Sequence, residues 1–382
     1  MLQSSNSNKI YLDNASTTRP DESALNNAVE YYTQNFYNPS SLYSGGVEVS
    51  LHLEKIREKI QSFFGKNYEV IFTSCGTESD NTVLENFSHK GNIVISAGEH
   101  SAIYEKAKKL KENGKEIRIA SLNKNGSVNE ESLYSLIDDN TSLVSVIHIN
   151  NETGAVNDVE KLAKKCKEIN KNLVFHTDGV QSFLKTETKL DYVDLFSLSA
   201  HKVGAIKGVG ALVKRKGLFV APLIIGGGQE KGKRSGTENV FGLTDFYYAI
   251  EQRKNIKENY EKVLLLKKTL LDGLSEQFLL ISDENCSPYV VSFSAKGLKS
   301  EIILHLMEDN GVLIGTGSAC SKNSDSRVLK ECGYPQDVLK GVLRVSFSPF
   351  NTVEEVVYAR EKLNESVEKL SKVMNVKWKK YY

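Results

Sequence analysis

Excess charge of either sign is missing from this chain of 382 residues: 49 basic side chains face 48 acidic ones, for a net charge of +1. That balance leaves no electrostatic footprint for a nucleic acid backbone, so the expected partner is a small molecule or another protein. Long apolar runs are missing too. No stretch reaches the roughly 18 unbroken apolar residues of a membrane span, and the polar opening MLQSSNSNKIYLDN has no hydrophobic signal region. A cytoplasmic protein without membrane contact is expected. Cysteine is sparse: Cys75, Cys166, Cys286, Cys320 and Cys332 are scattered, odd in number and contain no CxxC pair. This argues against a zinc site and a disulfide framework, and each thiol is judged alone. Neither GxxxxGK[ST] nor GxGxxG occurs in the right context, which removes the main nucleotide-binding classes. There is no internal repeat and no low-complexity linker.

What is present is a packable composition, 40% hydrophobic and 25% charged. The chain is too long for one minimal core and fits a large domain with a smaller one. VEVSLHLEKIREKIQSFF (47–64) has apolar residues at helical spacing, and YEVIFTS (68–74) is a short β-branched run followed by Gly76-Thr77-Glu78, a helix-opening signal. The same strand-then-turn pattern recurs in GNIVIS (91–96), LVSVIHIN (143–150), LVFHTD (173–178) and DLFSLS (194–199), with a crossover helix expected over 158–172. Such alternation predicts an α/β protein with parallel βαβ units and a sheet covered on both faces. Ligands of these sheets bind outside the carboxyl ends of the strands. Polar clusters fall at those ends: Cys75-Gly76-Thr77, Glu99-His100, Asn150-Asn151-Glu152, His176-Thr177-Asp178 and Ser199-Ala200-His201-Lys202.

Past about residue 250 the pattern changes to helices, over 301–311 and 353–374, and short strands such as YVVSFSA (289–295). The expected division is a large domain over 15–250 and a smaller α+β domain built from 1–14 and 251–382, the latter carrying Cys320 and Arg344.

Gly76-Thr77 sets free amide N–H groups and the positive end of a helix dipole side by side, which suits a phosphate; an ordinary N-cap reads the same way. Asp178 ends a buried strand, where an ionised carboxylate is costly unless it meets a cation. His176 beside it could make a metal site with His148, although a core histidine bonded to its surroundings fits the same pattern. Lys202 follows an apolar strand, and a lysine near apolar structure loses its proton readily and can form an imine with an aldehyde; a solvated lysine at a turn is the plain alternative. Together a phosphate turn, a buried carboxylate and this lysine point to pyridoxal phosphate.

The ordered motifs YLDNASTT (11–18), NPSS (38–41), GTESDN (76–81), EH (99–100), HINNETG (148–154), HTDGVQS (176–182), SAHK (199–202), GGGQEKGKRSGTEN (226–239), GSAC (317–320) and LRVSF (343–347) run nearly end to end. In these the chain resembles the cysteine desulfurases of the class V aminotransferase group, fold type I pyridoxal-phosphate enzymes that act as homodimers. The resemblance implies a mainly parallel seven-stranded sheet in the large domain. It also implies that Lys202 holds the cofactor, Asp178 pairs with its ring nitrogen, His100 stacks on the ring and Gln181 bonds the phenolic oxygen. Gly76, Thr77, Ser199 and His201 would hold the phosphate, with Thr237 reaching in from the other subunit. Arg344, assisted by Asn151, would bind the substrate carboxylate, and no metal is expected.

Cys320 lies in GTGSACSKNSDS (315–326), a glycine- and serine-rich stretch with the composition of a loop. By the resemblance its thiol attacks the sulfur of L-cysteine, releases alanine, and carries the sulfur as a persulfide to an acceptor protein serving iron–sulfur assembly or thiolation. Cys75 is the rival thiol because it precedes a helix N-terminus, but the family does not use that position. A selenocysteine lyase or an ordinary class V aminotransferase would share the cofactor residues and differ at Cys320; an idle scaffold and a metal hydrolase on His148, His176 and Asp178 are remoter alternatives. Two positions depart from the pattern: Tyr43 stands where relatives have histidine, and Ile206 where they have proline.

Overall fold

The β-branched runs form a seven-stranded sheet in the computed structural model, which describes residues 9–187, 189–317 and 325–374. Across the sheet the order is Tyr68–Thr73, Gly210–Arg215, Leu195–Ser199, Val174–Asp178, Thr141–Ser145, Asn92–Ser96 and Ile117–Ala120. Gly210–Arg215 runs antiparallel to both neighbours, and the remaining pairs are parallel. Every residue of Val174–Asp178 and Leu195–Ser199 is buried, as strands covered on both faces must be. The α/β architecture implied by the sequence is therefore present. The antiparallel strand comes from the apolar return after Lys202, which turns back beside the strand that leads into the lysine.

The strand expected over 143–150 stops at Ser145. Beyond it the chain still follows its neighbour, with Val146 N–H donating to the His176 carbonyl at 3.1 Å and His148 N–H to the Asp178 carbonyl at 3.0 Å. Ile147 N–H instead donates to Glu99 Oε1 at 2.7 Å, which replaces a ladder partner with a side chain. The crossover helix is Val159–Ile169, started by the Asp158 side chain accepting from Lys161 N–H. Its buried face, Val159, Leu162, Ala163 and Cys166, joins the main core.

A second hydrophobic core lies on an antiparallel four-stranded sheet ordered Gly315–Thr316, Val342–Ser346, Val290–Ser294 and Leu279–Leu280. The helices Ile256–Leu271 and Ser300–Asp309 pack against Val353–Met374 over it. The N-terminal segment joins this core: Ile10–Tyr11 pairs in parallel with Val312–Leu313, and Leu12 and Ala15 are buried among its residues. The chain is thereby threaded so that residues 13–18 lie between the second core and the turn bearing Lys202. Among the described residues no helix is long and apolar enough to cross a membrane.

The departure at Ile206 has a local counterpart. Ile206 N–H donates to Asp245 Oδ2 at 2.7 Å, a bond a proline could not make, while the buried Asp245 Oδ1 has no hydrogen-bond partner. Ile206→Pro is expected to destabilise the fold by about 1–3 kcal/mol, because it strips the buried carboxyl of this donor. The shift would be read from the denaturant midpoint. Tyr43 caps the start of the helix Ser44–Gln61 without a side-chain cap bond and packs edge-on against Tyr37.

Candidate active site

At the carboxyl ends of the parallel strands a cavity of about 340 Å³ brings together Gly76, Thr77, His100, Asn151, Asp178, Gln181, Ser199, His201, Lys202 and Arg344. Its volume is that of a small-molecule site. A larger open groove of about 830 Å³, where His148 lies among Lys161, Lys164 and Glu160, contains none of the predicted cofactor residues. Converging chemistry, not size, marks the smaller cavity as the site.

One end of it is built for an anion. The helix Gly76–Phe87 begins after Cys75, whose backbone is extended and whose side chain makes no cap bond. Glu78, the acid of its first turn, is turned onto Ser74 N–H at 2.9 Å and Arg234 Nε at 3.0 Å. A Cβ at Gly76 would stand 2.8 Å from the Val180 side chain, so only glycine lets the backbone pass so close. Ser199 Oγ is buried with no hydrogen-bond partner. His201 Nδ1 lies 3.0 Å from Thr17 Oγ1, which leaves Nε2 for the cavity, and burial followed by Lys202 and Lys207 pushes this imidazole down to about 4, into its neutral form. A helix N-terminus with an orphaned hydroxyl is a phosphate cradle.

The centre holds carboxyls. Asp178 is 3% exposed and accepts from Val180 N–H at 2.9 Å; burial raises its pKa, and His100 and Lys202 pull it back. Such a group calls for a cationic partner. His100 caps the helix Ser101–Glu112, its Nδ1 accepting from Ala102 N–H at 3.2 Å, so in the neutral ring the proton sits on Nε2; burial lowers its pKa. Asp80, which also lines the cavity, is 1% exposed; its Oδ1 lacks a hydrogen-bond partner and lies 3.7 Å from His176 Nε2, and burial followed by Asp178 drives its pKa well up. Glu99 is pushed up to about 8 by burial. Both lay in quoted motifs, GTESDN and EH, yet no sequence signal assigned them a part. His176 is bonded to Ser145 Oγ at 2.9 Å and Ser197 Oγ at 3.0 Å and pushed down to about 3 by burial, the state of a core histidine. Among the described residues no group of three His, Cys, Asp or Glu is placed to hold a metal ion.

The other end is cationic. Lys202 ends the turn Ala200–Lys202, and its Nζ donates to the carbonyls of Ala15 and Ser16, both at 2.7 Å. Arg344, 1% exposed, donates from Nη2 to Asp13 Oδ1 at 2.8 Å and Ser16 Oγ at 2.6 Å, and from Nη1 to the Asn151 carbonyl at 2.9 Å. Asn151, expected to assist Arg344, meets the arginine through its backbone carbonyl. Arg344 Nε is buried without a hydrogen-bond partner. Asp13 and Ser16 were not foreseen as holders of Arg344; they lie more than 300 residues away in sequence.

One expected residue among those described is not in the cavity. Thr237 is exposed and lines a separate space of about 180 Å³ with Ser74, Glu230 and Arg234. Cys320 lies outside the described residues. The described chain on either side of it is fastened near the cavity: Gly315 pairs with Arg344, Ser326 Oγ bonds Glu152, and Arg327 donates to the carbonyls of Ala97 and Glu99. Of the other thiols, Cys75 lines the cavity, whereas Cys166, Cys286 and Cys332 are buried and pushed up to about 12 by burial.

Comparison with known proteins agrees with this geometry. The model of the family described as aminotransferase class-V matches residues 10–358. The chain belongs to the class V aminotransferase family. Within it, the chain is 35% identical to cysteine desulfurase IscS of Clostridium botulinum, with 98% of each protein covered. It is 36% identical to a cysteine desulfurase of Gluconacetobacter diazotrophicus, with 91% of each covered. Among solved structures, a NifS-like protein superposes with a TM-score of 0.88 at 33% identity, covering 94% of this chain and all of that one. A NifS-like protein from Rickettsia africae gives 0.86 at 30%, covering 94% of this chain and 99% of that one. This class V aminotransferase therefore has the fold of type I pyridoxal-phosphate enzymes, and pyridoxal phosphate is its cofactor. The residues present fit that group: the uncapped helix start and orphaned Ser199 hydroxyl suit its phosphate, and buried Asp178 suits a protonated ring nitrogen.

Proposed function

We propose that the protein is a cysteine desulfurase that converts L-cysteine to L-alanine and takes the sulfur onto Cys320 as a persulfide. The observation that carries this reading is one cavity joining a lysine, a buried carboxylate, an uncapped helix start and an arginine with an unpartnered N–H. Names of the full-length relatives supply the substrate. When bound, pyridoxal phosphate supplies an electron sink for the substrate Cα.

Lys202 would hold the cofactor, and its Nζ, once free, would move the Cα proton of the substrate. Asp178 would keep the ring nitrogen protonated, His100 would pack on the ring, and Gln181 would face the phenolic oxygen. Gly76 N–H, Thr77, Ser199 and His201 would bind the phosphate. Arg344, held in place by Asp13, Ser16 and the Asn151 carbonyl, presents its two remaining N–H groups, on Nε and Nη1, to the substrate carboxylate, a pairing guanidinium suits. The Cys320 thiolate attacks the substrate sulfur as the Cβ–S bond breaks. Cys320 sulfur is oxidised to the persulfide, Cβ is reduced to the methyl of alanine, and no outside oxidant is needed.

The working form in this reading is a cytoplasmic homodimer in which Thr237 completes the phosphate site of the partner subunit. Thr237 is exposed, and so are Phe36, Leu42, Tyr43, Val47 and Leu51, a run of apolar side chains that a second copy would cover. Residues 15–250 would form the cofactor-binding domain, with 1–14 and 251–382 forming the smaller one; the separate hydrophobic cores support two domains, although Ala15 packs in the second core. The persulfide would pass to a sulfur-acceptor protein for iron–sulfur assembly or thiolation. The test is to incubate the reconstituted protein with L-cysteine and a thiol reductant. Equal amounts of alanine and sulfide are expected, and a protein that takes up no pyridoxal phosphate would refute the reading.

A further inference from the structure

Gln181 is 4% exposed and lines the cavity with its amide clamped between a lysine amine and a backbone carbonyl. Lys185 Nζ donates to its Oε1 at 2.9 Å, and its own Nε2 donates to the Ala15 carbonyl at 2.8 Å. A carbonyl only accepts and a protonated Nζ only donates, so while Lys185 keeps its proton both partners select the same orientation and the flipped amide loses both bonds.

Lys185 is an expensive way to obtain this. It is 7% exposed, its Nζ lies 5.7 Å from the centre of the Tyr289 ring, and Lys202, Arg253 and Arg344 all bear on it with like charge. Burial, followed by those cations, lowers its pKa to about 7. An aliphatic side chain would fill the space without that cost. What only the amine supplies is the bond to Gln181 Oε1.

We propose that Lys185 is a positioning residue: by holding the Gln181 carbonyl oxygen, it fixes the amide so that the cavity meets an N–H donor and not a lone pair. This rests on the reading that Gln181 faces the phenolic oxygen of pyridoxal phosphate. A donor there favours the ionised oxygen, whereas a flipped amide would set a lone pair against it. Lys185 therefore helps set the pH at which the bound cofactor changes its visible absorption, without touching the cofactor.

The test is an absorbance titration of reconstituted wild type, Lys185→Met and Lys185→Arg, with Lys185→Leu as a second apolar variant should the methionine protein fail to fold. An apolar variant is expected to load the cofactor through Lys202 but to titrate at least about one pH unit higher, a tenfold change. Lys185→Arg, which keeps a donor, should restore the wild-type position. In a Gln181→Leu background the apolar change should add nothing, because the residue it acts through is gone. Wild-type titration by a folded apolar variant overturns the proposal, as does an equal shift in the Gln181→Leu background. Absence of any visible band in the wild type would overturn both this proposal and the cofactor reading, and so is distinguishable from either of those results.

Discussion

Cys320→Ala is expected to keep the visible cofactor band and to lose sulfide release from L-cysteine by more than about 10³-fold, the scale on which a covalent nucleophile acts. None of the cofactor residues falls within 315–326, so loading should be unaffected. The control is Cys75→Ala. Cys75 is the one cysteine among the described residues that lines the cavity, and it immediately precedes the helix Gly76–Phe87. It is the only serious competitor, because Cys166, Cys286 and Cys332 are buried and held in the thiol form at neutral pH. If Cys320 carries the sulfur, Cys75→Ala retains most of the activity. Should Cys75→Ala lose sulfide release while Cys320→Ala keeps it, the persulfide belongs to the wall of the cavity. Mass spectrometry of the protein after one turnover would locate the added sulfur directly.

The substrate arginine gives a different kind of loss. Arg344→Ala is expected mainly to raise KM, since it removes binding of a carboxylate that is present throughout the reaction. Arg344→Lys should recover little, because a point charge cannot keep the bonds to Asp13, Ser16 and Asn151 while also reaching substrate.

The legible part of the site was the part in which local sequence and topology coincide. Gly76-Thr77, Asp178 and Ser199 to Lys202 each follow a short apolar run, and parallel strands deliver such turns to one edge of a sheet. Pattern alone could not choose between a capped and an uncapped helix start; that depends on Glu78 being drawn away by Ser74 and Arg234. Nor could it show Asp13 and Ser16 gripping Arg344, because those bonds are created by threading residues 13–18 between two cores. Asp80 and Glu99 read as ordinary polar residues in helical and turn contexts, and only their burial beside Asp178 makes them unusual. The strand Gly210–Arg215 was hidden because glycines and a lysine-bearing turn precede it, although its pairing with Leu195–Ser199 is what closes the chain back beneath Lys202.

Lys202→Ala should have the deepest effect on the cofactor itself. Lys202 Nζ is fixed by the carbonyls of Ala15 and Ser16, both contributed by the N-terminal segment, so the amine is held at the cavity by backbone that the second core anchors. Removing it leaves the phosphate cradle and Asp178 in place. The variant is therefore expected to bind pyridoxal phosphate without covalent attachment, to lose the wild-type visible band, and to release the cofactor on gel filtration. Alanine formation should fall by at least about 10²–10⁴-fold, the usual contribution of a positioned proton carrier. A small primary amine added to the buffer can replace the missing proton carrier only if the rest of the site is intact, so partial rescue by methylamine separates loss of that group from loss of structure. Full activity in Lys202→Ala would leave the cavity without its reagent and return the choice to a lysine that serves only as a strand end.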